Sequence, residues 1–166
     1  MQVMISDEGK DRGDIQLRKV TDRLRRMCSK REYCSADILK KALVALDGDK
    51  KAAEGVLETL RKEKFVDDFR FARAFVRDKS TLVGWGSGKI RYMLAAKGVG
   101  RDVIDQAIPC IEQEKAEQRL KRMLEQKFRT LEGDSQCRLK LLRFALGRGY
   151  SYDQVNVLIE EMLNNK

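Results

Sequence analysis

Apolar side chains return every three or four positions along almost the whole chain. Leu17, Val20, Leu24 and Met27 step by three, four and three residues. Ala53, Val56, Leu57 and Leu60 repeat the pattern, as do Ala116, Leu120, Met123 and Leu124, then Val155, Leu158, Ile159 and Met162. This is the spacing of one face of an α-helix; a half-buried strand would alternate, and such alternation is nearly absent. Short breaks separate the stripes at 47–49, 84–88, 97–100, 132–134 and 147–151, each carrying glycine. Proline occurs once, at Pro109. The pattern predicts about nine helices of modest length and an all-α fold.

The breaks contain a repeat. "GSGKIRYMLAAKGVGRDVIDQAI" aligns with "QCRLKLLRFALGRGYSYDQVNVLI" on Gly98 and Gly149, which also brings Lys97 onto Arg148, Ile90 onto Leu141 and Asp102 onto Asp153. Each unit reads as a helix, a glycine stop, and a second helix with an acid in its first turn. Glycine suits the left-handed residue just past a helix end, and the acid suits the positive end of the next helix. "CSADILKKALVALDGDKKAAEGVLETL" is a third copy with a different turn. Adding one preceding helix to each pair predicts three tandem three-helix repeats in an elongated, curved array. Their expected bounds are 17–66, 67–110 and 111–166, with residues 1–16 an N-terminal tail that need not be ordered.

Composition narrows the class. At 42% hydrophobic the 166 residues can bury a core, and no apolar run approaches the length that crosses a bilayer. The N-terminus lacks the basic start and apolar stretch of a signal peptide, so a soluble cytoplasmic protein is expected. The formal charge is +9, and because residues 1–16 hold two cations and four anions, the remainder carries +11. That balance favours polyanionic partners such as nucleic acid or an acidic protein groove. Cys28, Cys34, Cys110 and Cys137 are scattered, and with no histidine in the chain they do not form a zinc pattern. They are expected to be reduced packing residues.

No catalytic constellation emerges. Histidine is absent as a base, and "GWGSGK" follows a helix, whereas a phosphate-cradling loop needs strand–loop–helix geometry. Asp67 and Asp68 lack the further carboxylates that would hold a metal and read instead as caps at a helix start. No enzymatic activity, cofactor or metal is expected. What remains is charge. Within "VDDFRFARAFVRDK", Phe65, Phe69, Ala72 and Val76 fall on one helical line, Phe71 and Phe75 widen it, and Arg70, Arg73 and Arg77 form a stripe beside it. Lys19, Arg23, Arg26 and Lys30 do the same beside the first apolar stripe. Such stripes commonly only keep a helix soluble; their recurrence in two repeats points to a partner.

The blocks "REYCSADILKKAL", "VDDFRFARAFVRDKS", "GWGSGKIRYMLAAKGV" and "ALGRGYSYDQVNVLIEEM", in this order, resemble the RecX family of bacterial regulators of the RecA recombinase. The resemblance spans about residues 17 to 164 and includes Asp67, Asp68, Arg70, Phe71, Ala72 and Phe75, then Ile90, Leu94, Lys97 and Gly98. It implies an all-helical fold of three three-helix repeats and no enzymatic activity. It also implies binding in the groove of a RecA filament on single-stranded DNA, lowering ATP hydrolysis and strand exchange. DNA contact would be weak or made through RecA; a monomer with no membrane association is expected. Arg70, Arg73, Arg77, Lys89, Arg91 and Lys97 are the first contact candidates, and Lys19, Arg23, Arg26 and Lys30 the second; Trp85 is expected near that surface. A direct DNA-binding helical module without RecA specificity is the alternative. Two departures stand out: the turn "LDGDKKAAEG" replaces the compact turn of the other repeats, and Cys34 occupies a position commonly serine, so Ser35 or Cys34 is the expected cap of the helix there.

Overall fold

A computed structural model describes residues 6–164, with side chains from residue 12 onward. Nine α-helices lie in this range: α1 (Ser6–Cys28), α2 (Ser35–Ala45), α3 (Lys50–Lys62), α4 (Asp68–Asp78), α5 (Ser87–Ala96), α6 (Arg101–Ala107), α7 (Gln113–Arg129), α8 (Cys137–Leu146) and α9 (Tyr152–Asn164). A π-turn, Lys79–Val83, prolongs α4, and a 3-10 turn, Ile108–Cys110, holds Pro109 after α6. There is no strand among the described residues. The fold is an all-α array of helical repeats. Helix α1 starts at Ser6, so residues 6–16 of the expected tail are helical, and residues 1–5 lie outside the described residues.

The chain divides into two compact units, one running through Phe71 and including Lys97–Val99, the other holding Ala72–Ala96 and everything from Gly100. In the first, α2 and α1 pack against α3. The predicted stripes supply Val20 and Leu24 from α1 and Ala53, Val56, Leu57 and Leu60 from α3 to the core, and Ile38 and Ala42 of α2 join them. The unusual turn between α2 and α3 is a pair of left-handed residues, Asp47 (φ 52°) and Gly48 (φ 86°). Asp49 then caps α3 by accepting from the Ala52 amide at 2.9 Å.

The start of α2 differs from expectation. Neither Cys34 nor Ser35 caps it through its side chain. Asp68, from the first turn of α4, accepts the Ser35 amide proton at 2.6 Å. The Cys34 thiol donates instead to the Lys97 carbonyl at 3.5 Å, and Ser35 Oγ accepts from Arg61 at 2.9 and 3.1 Å. A carboxylate is the stronger choice here because it adds a full negative charge at the positive end of α2. Only its neighbour Asp67 behaves as the local cap, accepting from the Arg70 amide at 2.9 Å.

Gly98, just past α5, has φ 78°, and a β-carbon there would stand 2.9 Å from Ala36 Cβ. Gly98→Val is therefore expected to cost about 1–3 kcal/mol through backbone strain and crowding. Denaturant melts of the two proteins check this; coincident midpoints would contradict it.

In the second unit α7 packs on α8, α8 on α9, and α7 also on the π-turn. Leu120, Leu124, Leu141, Leu142, Ala145, Val155 and Ile159 form one core cluster. Of the predicted line Phe65, Phe69, Ala72 and Val76, the last two are fully buried and the two phenylalanines half-buried, while Phe71, expected at its margin, is buried. The glycine turns 84–88 and 147–151 meet directly. Gly86 N–H donates to the Arg148 carbonyl at 2.8 Å and Gly88 N–H to the Gly149 carbonyl at 3.1 Å. These two amides are thus already used within the fold.

The cysteines divide. Cys28 and Cys34 are buried, and burial pushes both thiols up from their ordinary value. Cys137 is half-buried. Cys110 is exposed in the 3-10 turn after Pro109, so for this one the packing expectation is corrected.

Candidate partner-binding surface

Lys19, Arg23 and Arg26 lie on α1 beside its core stripe, and Lys30 in the turn after it; all four are exposed. None makes an ion pair among the described residues, whereas Arg25, on another face of the same helix, bonds Glu63 at 2.7 and 2.8 Å. Arg23 and Met27 also border a shallow depression shared with Asp37, Lys40, Lys41 and Val44 of α2. Lys40 is exposed and Val44 is 76% exposed. Lys40 and Lys41 were not singled out by periodicity; the signal for them is the "KK" of α2, of which Lys40 is exposed and Lys41 half-buried over the Tyr33 ring. Like charges one turn apart repel by a few tenths of a kcal/mol. A ridge of this kind is relieved by an anionic partner.

The cations of α4 and α5 are placed differently. Arg70 is occupied within its own unit: its guanidinium bonds Glu32 at 2.6 Å and the carbonyls of Lys64 and Phe65 at 3.1 and 3.3 Å. Those carbonyls follow the end of α3, where Lys64 itself is left-handed at φ 63°. The hydrogen bond that Arg70 donates to the Glu32 carboxylate raises the guanidinium above its ordinary value. Lys97 lies 3.5 Å from Asp37 and 5.9 Å from the centre of the Phe71 ring, joining the glycine turn to α2. Arg77 bonds its neighbour Asp78 at 3.1 Å, and Arg91 pairs with Asp105. Lys89 sits 4.7 Å from the centre of the Trp85 ring, with Lys79 at 5.0 Å. Arg73 alone of these is exposed and without an ion pair among the described residues.

The aspartate pair and its arginine are thus largely a joint of the fold. Asp67 caps α4, Asp68 caps α2, and Arg70 ties down the end of α3. Arg70→Glu is expected to lose about 2 kcal/mol, because it breaks these bonds and leaves Glu32, whose Oε2 is already buried without a partner, facing a like charge. Arg73→Glu should stay within about 0.5 kcal/mol of the parent. Chemical denaturation of the two single variants distinguishes them, and equal midpoints would contradict the assignment of Arg70 to the joint.

Among the described residues no helix is long and apolar enough to cross a membrane, and no group of three or more acidic, cysteine or histidine side chains could hold a metal ion. Comparison with known proteins then bears on the same segments. The family description "RecX, second three-helix domain" matches residues 67–108, the stretch that contains the Asp67–Asp68–Arg70 joint and Gly98. The regulatory protein RecX of Prosthecochloris aestuarii is 35% identical over 113 residues, covering 68% of this chain and 73% of that protein. The RecX of Clostridium botulinum strain Alaska E43 is 35% identical over 120 residues, 70% of this chain and 56% of that one. The chain spans about half the length of its clostridial relatives, 54% in the case of Clostridium tetani. Among solved structures, a crystal structure of regulatory protein RecX superposes with a TM-score of 0.81 at 23% identity, over 96% of this chain and 79% of the other. RecX from Lactobacillus salivarius gives 0.79 at 19% identity, over 89% and 97%. With the fold shared by these structures and more than a third of the aligned residues shared with the Prosthecochloris protein, the chain belongs to the RecX family of regulatory proteins.

Proposed function

We propose that this chain regulates the RecA recombinase by binding the filament that RecA forms on single-stranded DNA, lowering its ATP hydrolysis and strand exchange. The observation that carries the reading is a set of exposed cations without an ion pair among the described residues: Lys19, Arg23 and Arg26 on α1, Lys30 in the turn after it, and Lys40 on α2. A filament carrying DNA presents a long anionic wall, and several such contacts along one chain act at high effective concentration. The helix triplets 17–66, 67–110 and 111–166 would be the successive contact modules of a cytoplasmic monomer. Arg73 is the second contact candidate. Arg70 and Lys97 act indirectly, by holding the modules together.

The rival reading, DNA binding without RecA, uses the same cations and differs in its partner. Binding of the labelled protein to RecA–single-stranded DNA filaments and to the bare oligonucleotide, each at low and at raised salt, separates the two. The proposal expects filaments to bind much more tightly than bare DNA, with the interaction weakening as salt screens it. Equal affinity for both would overturn it in favour of a plain DNA-binding module.

A further inference from the structure

A cleft of about 310 Å³ in the second unit lies between the N-terminal half of α7 and α9, with Trp85 also on its lining. Its floor is apolar: Ile111, Ala116, Leu120 and Leu158 are all buried. Val157, on the α9 wall, is left 57% exposed, an isolated aliphatic side chain beside an open cavity. Tyr150 also lines the cleft; it is only 8% exposed, and its hydroxyl is buried without a hydrogen-bond partner. One carboxylate stands on each helical wall, Glu117 on α7 and Glu161 on α9, both exposed and neither in an ion pair among the described residues. Two unpaired acids flanking an apolar slot are unexpected on a chain with a net charge of +9.

Each feature constrains the occupant. An apolar floor asks for an aliphatic or aromatic side chain, and its burial is the favourable term. Paired carboxylates at the rims repel phosphate and attract cations, so nucleic acid is the wrong chemistry for this surface. The volume sits at the lower end for a small-molecule site and suits one or two inserted side chains. We infer that this cleft is a docking site for a basic amphipathic peptide segment of a partner protein, an aliphatic side chain entering between α7 and α9 and neighbouring lysine or arginine side chains meeting Glu117 and Glu161. The site uses none of the α1 and α2 cations on which the filament reading rests, so the two surfaces can be tested separately.

Trp85 is the only tryptophan of the chain and lines the cleft, so it reports occupancy directly. The probe is a tryptophan-free leucine–lysine peptide patterned as an amphipathic helix, with a leucine–glutamate peptide of the same pattern as its counterpart. The leucine–lysine peptide is expected to shift Trp85 emission saturably and the leucine–glutamate peptide to leave it unchanged. Glu117→Lys with Glu161→Lys should weaken the response about ten-fold or more, as should Val157→Asp. The same charge change at Glu54 and Glu58 on α3, also exposed, should leave it near wild type. Circular dichroism of each variant checks that the helices are retained. An absent or non-saturating shift, or equal weakening by the α3 control, overturns the inference. So does self-association of the free protein that Val157→Asp abolishes, which would make a second copy the occupant. RecA is absent from the experiment, so its outcome leaves the filament reading untouched.

Discussion

Gly149→Val is expected to destabilise the protein by about 3–5 kcal/mol, far more than an ordinary surface substitution. Gly149 has φ 87°, where a β-branched residue costs about 1–3 kcal/mol. A β-carbon there would also fall 2.2 Å from the Lys89 nitrogen, and backbone cannot rotate away as a flexible side chain can. Opening that contact strains the two hydrogen bonds by which Gly86 and Gly88 hold Arg148 and Gly149, worth about 1 kcal/mol each. Gly55, inside α3 with nothing within 4 Å of its would-be β-carbon, is the opposite case. Gly55→Ala should stabilise by about 0.5–1 kcal/mol, since only the helix propensity changes. Denaturant unfolding of both variants and the parent checks the ordering. A Gly149→Val midpoint equal to the parent's would mean that the two glycine turns do not form the tight junction described.

The second large effect concerns binding. Replacing Lys19, Arg23, Arg26 and Lys30 together by glutamate should leave the circular dichroism spectrum and melting curve close to the parent's. The four side chains are exposed, none belongs to the core cluster, and none makes an ion pair among the described residues. The same change turns attraction to an anionic filament into repulsion, and affinity for RecA–DNA filaments should fall by about two orders of magnitude. Raising salt should weaken the parent in the same direction and the variant much less. Reversing Arg70, Arg73 and Arg77 together is a poorer test, because Arg70 bonds Glu32 and two carbonyls and its loss confounds stability with binding.

Much of this was legible in the sequence because helix periodicity, glycine stops and caps act locally. The stripes of α3 and α7 are buried at every position named, and Gly98 and Gly149, aligned from sequence alone, both adopt positive φ. The acids matched to them, Asp102 and Asp153, fall in the first turns of α6 and α9. What could not be read was where a side chain goes once its local role is filled. Asp68 looks like a cap for α4 but reaches across thirty-three residues to the amide of Ser35. Arg70 sits on an outer stripe by helical geometry, yet the carbonyls beyond α3 and the Glu32 carboxylate claim it. Periodicity assigns a face, not a partner. The acidic cleft escaped the same way, since Glu117 and Glu161 stand forty-four positions apart in the chain on separate helices and only packing brings their faces together. The extent of α1 was missed for a different reason: residues 6–16 lack an apolar stripe, and helix beyond the core leaves no periodic signal.

The account stands most directly on the ATPase activity of RecA on single-stranded DNA, measured with the parent protein, with the Lys19/Arg23/Arg26/Lys30→Glu variant, and with neither, at equal concentration and at two ionic strengths. The parent is expected to lower hydrolysis, less so at the higher salt, and the folded variant to leave it at the rate of RecA alone. Inhibition by the variant as strong as by the parent, or no effect of the parent at either salt, would contradict the assignment of these α1 cations as the surface through which the chain regulates RecA.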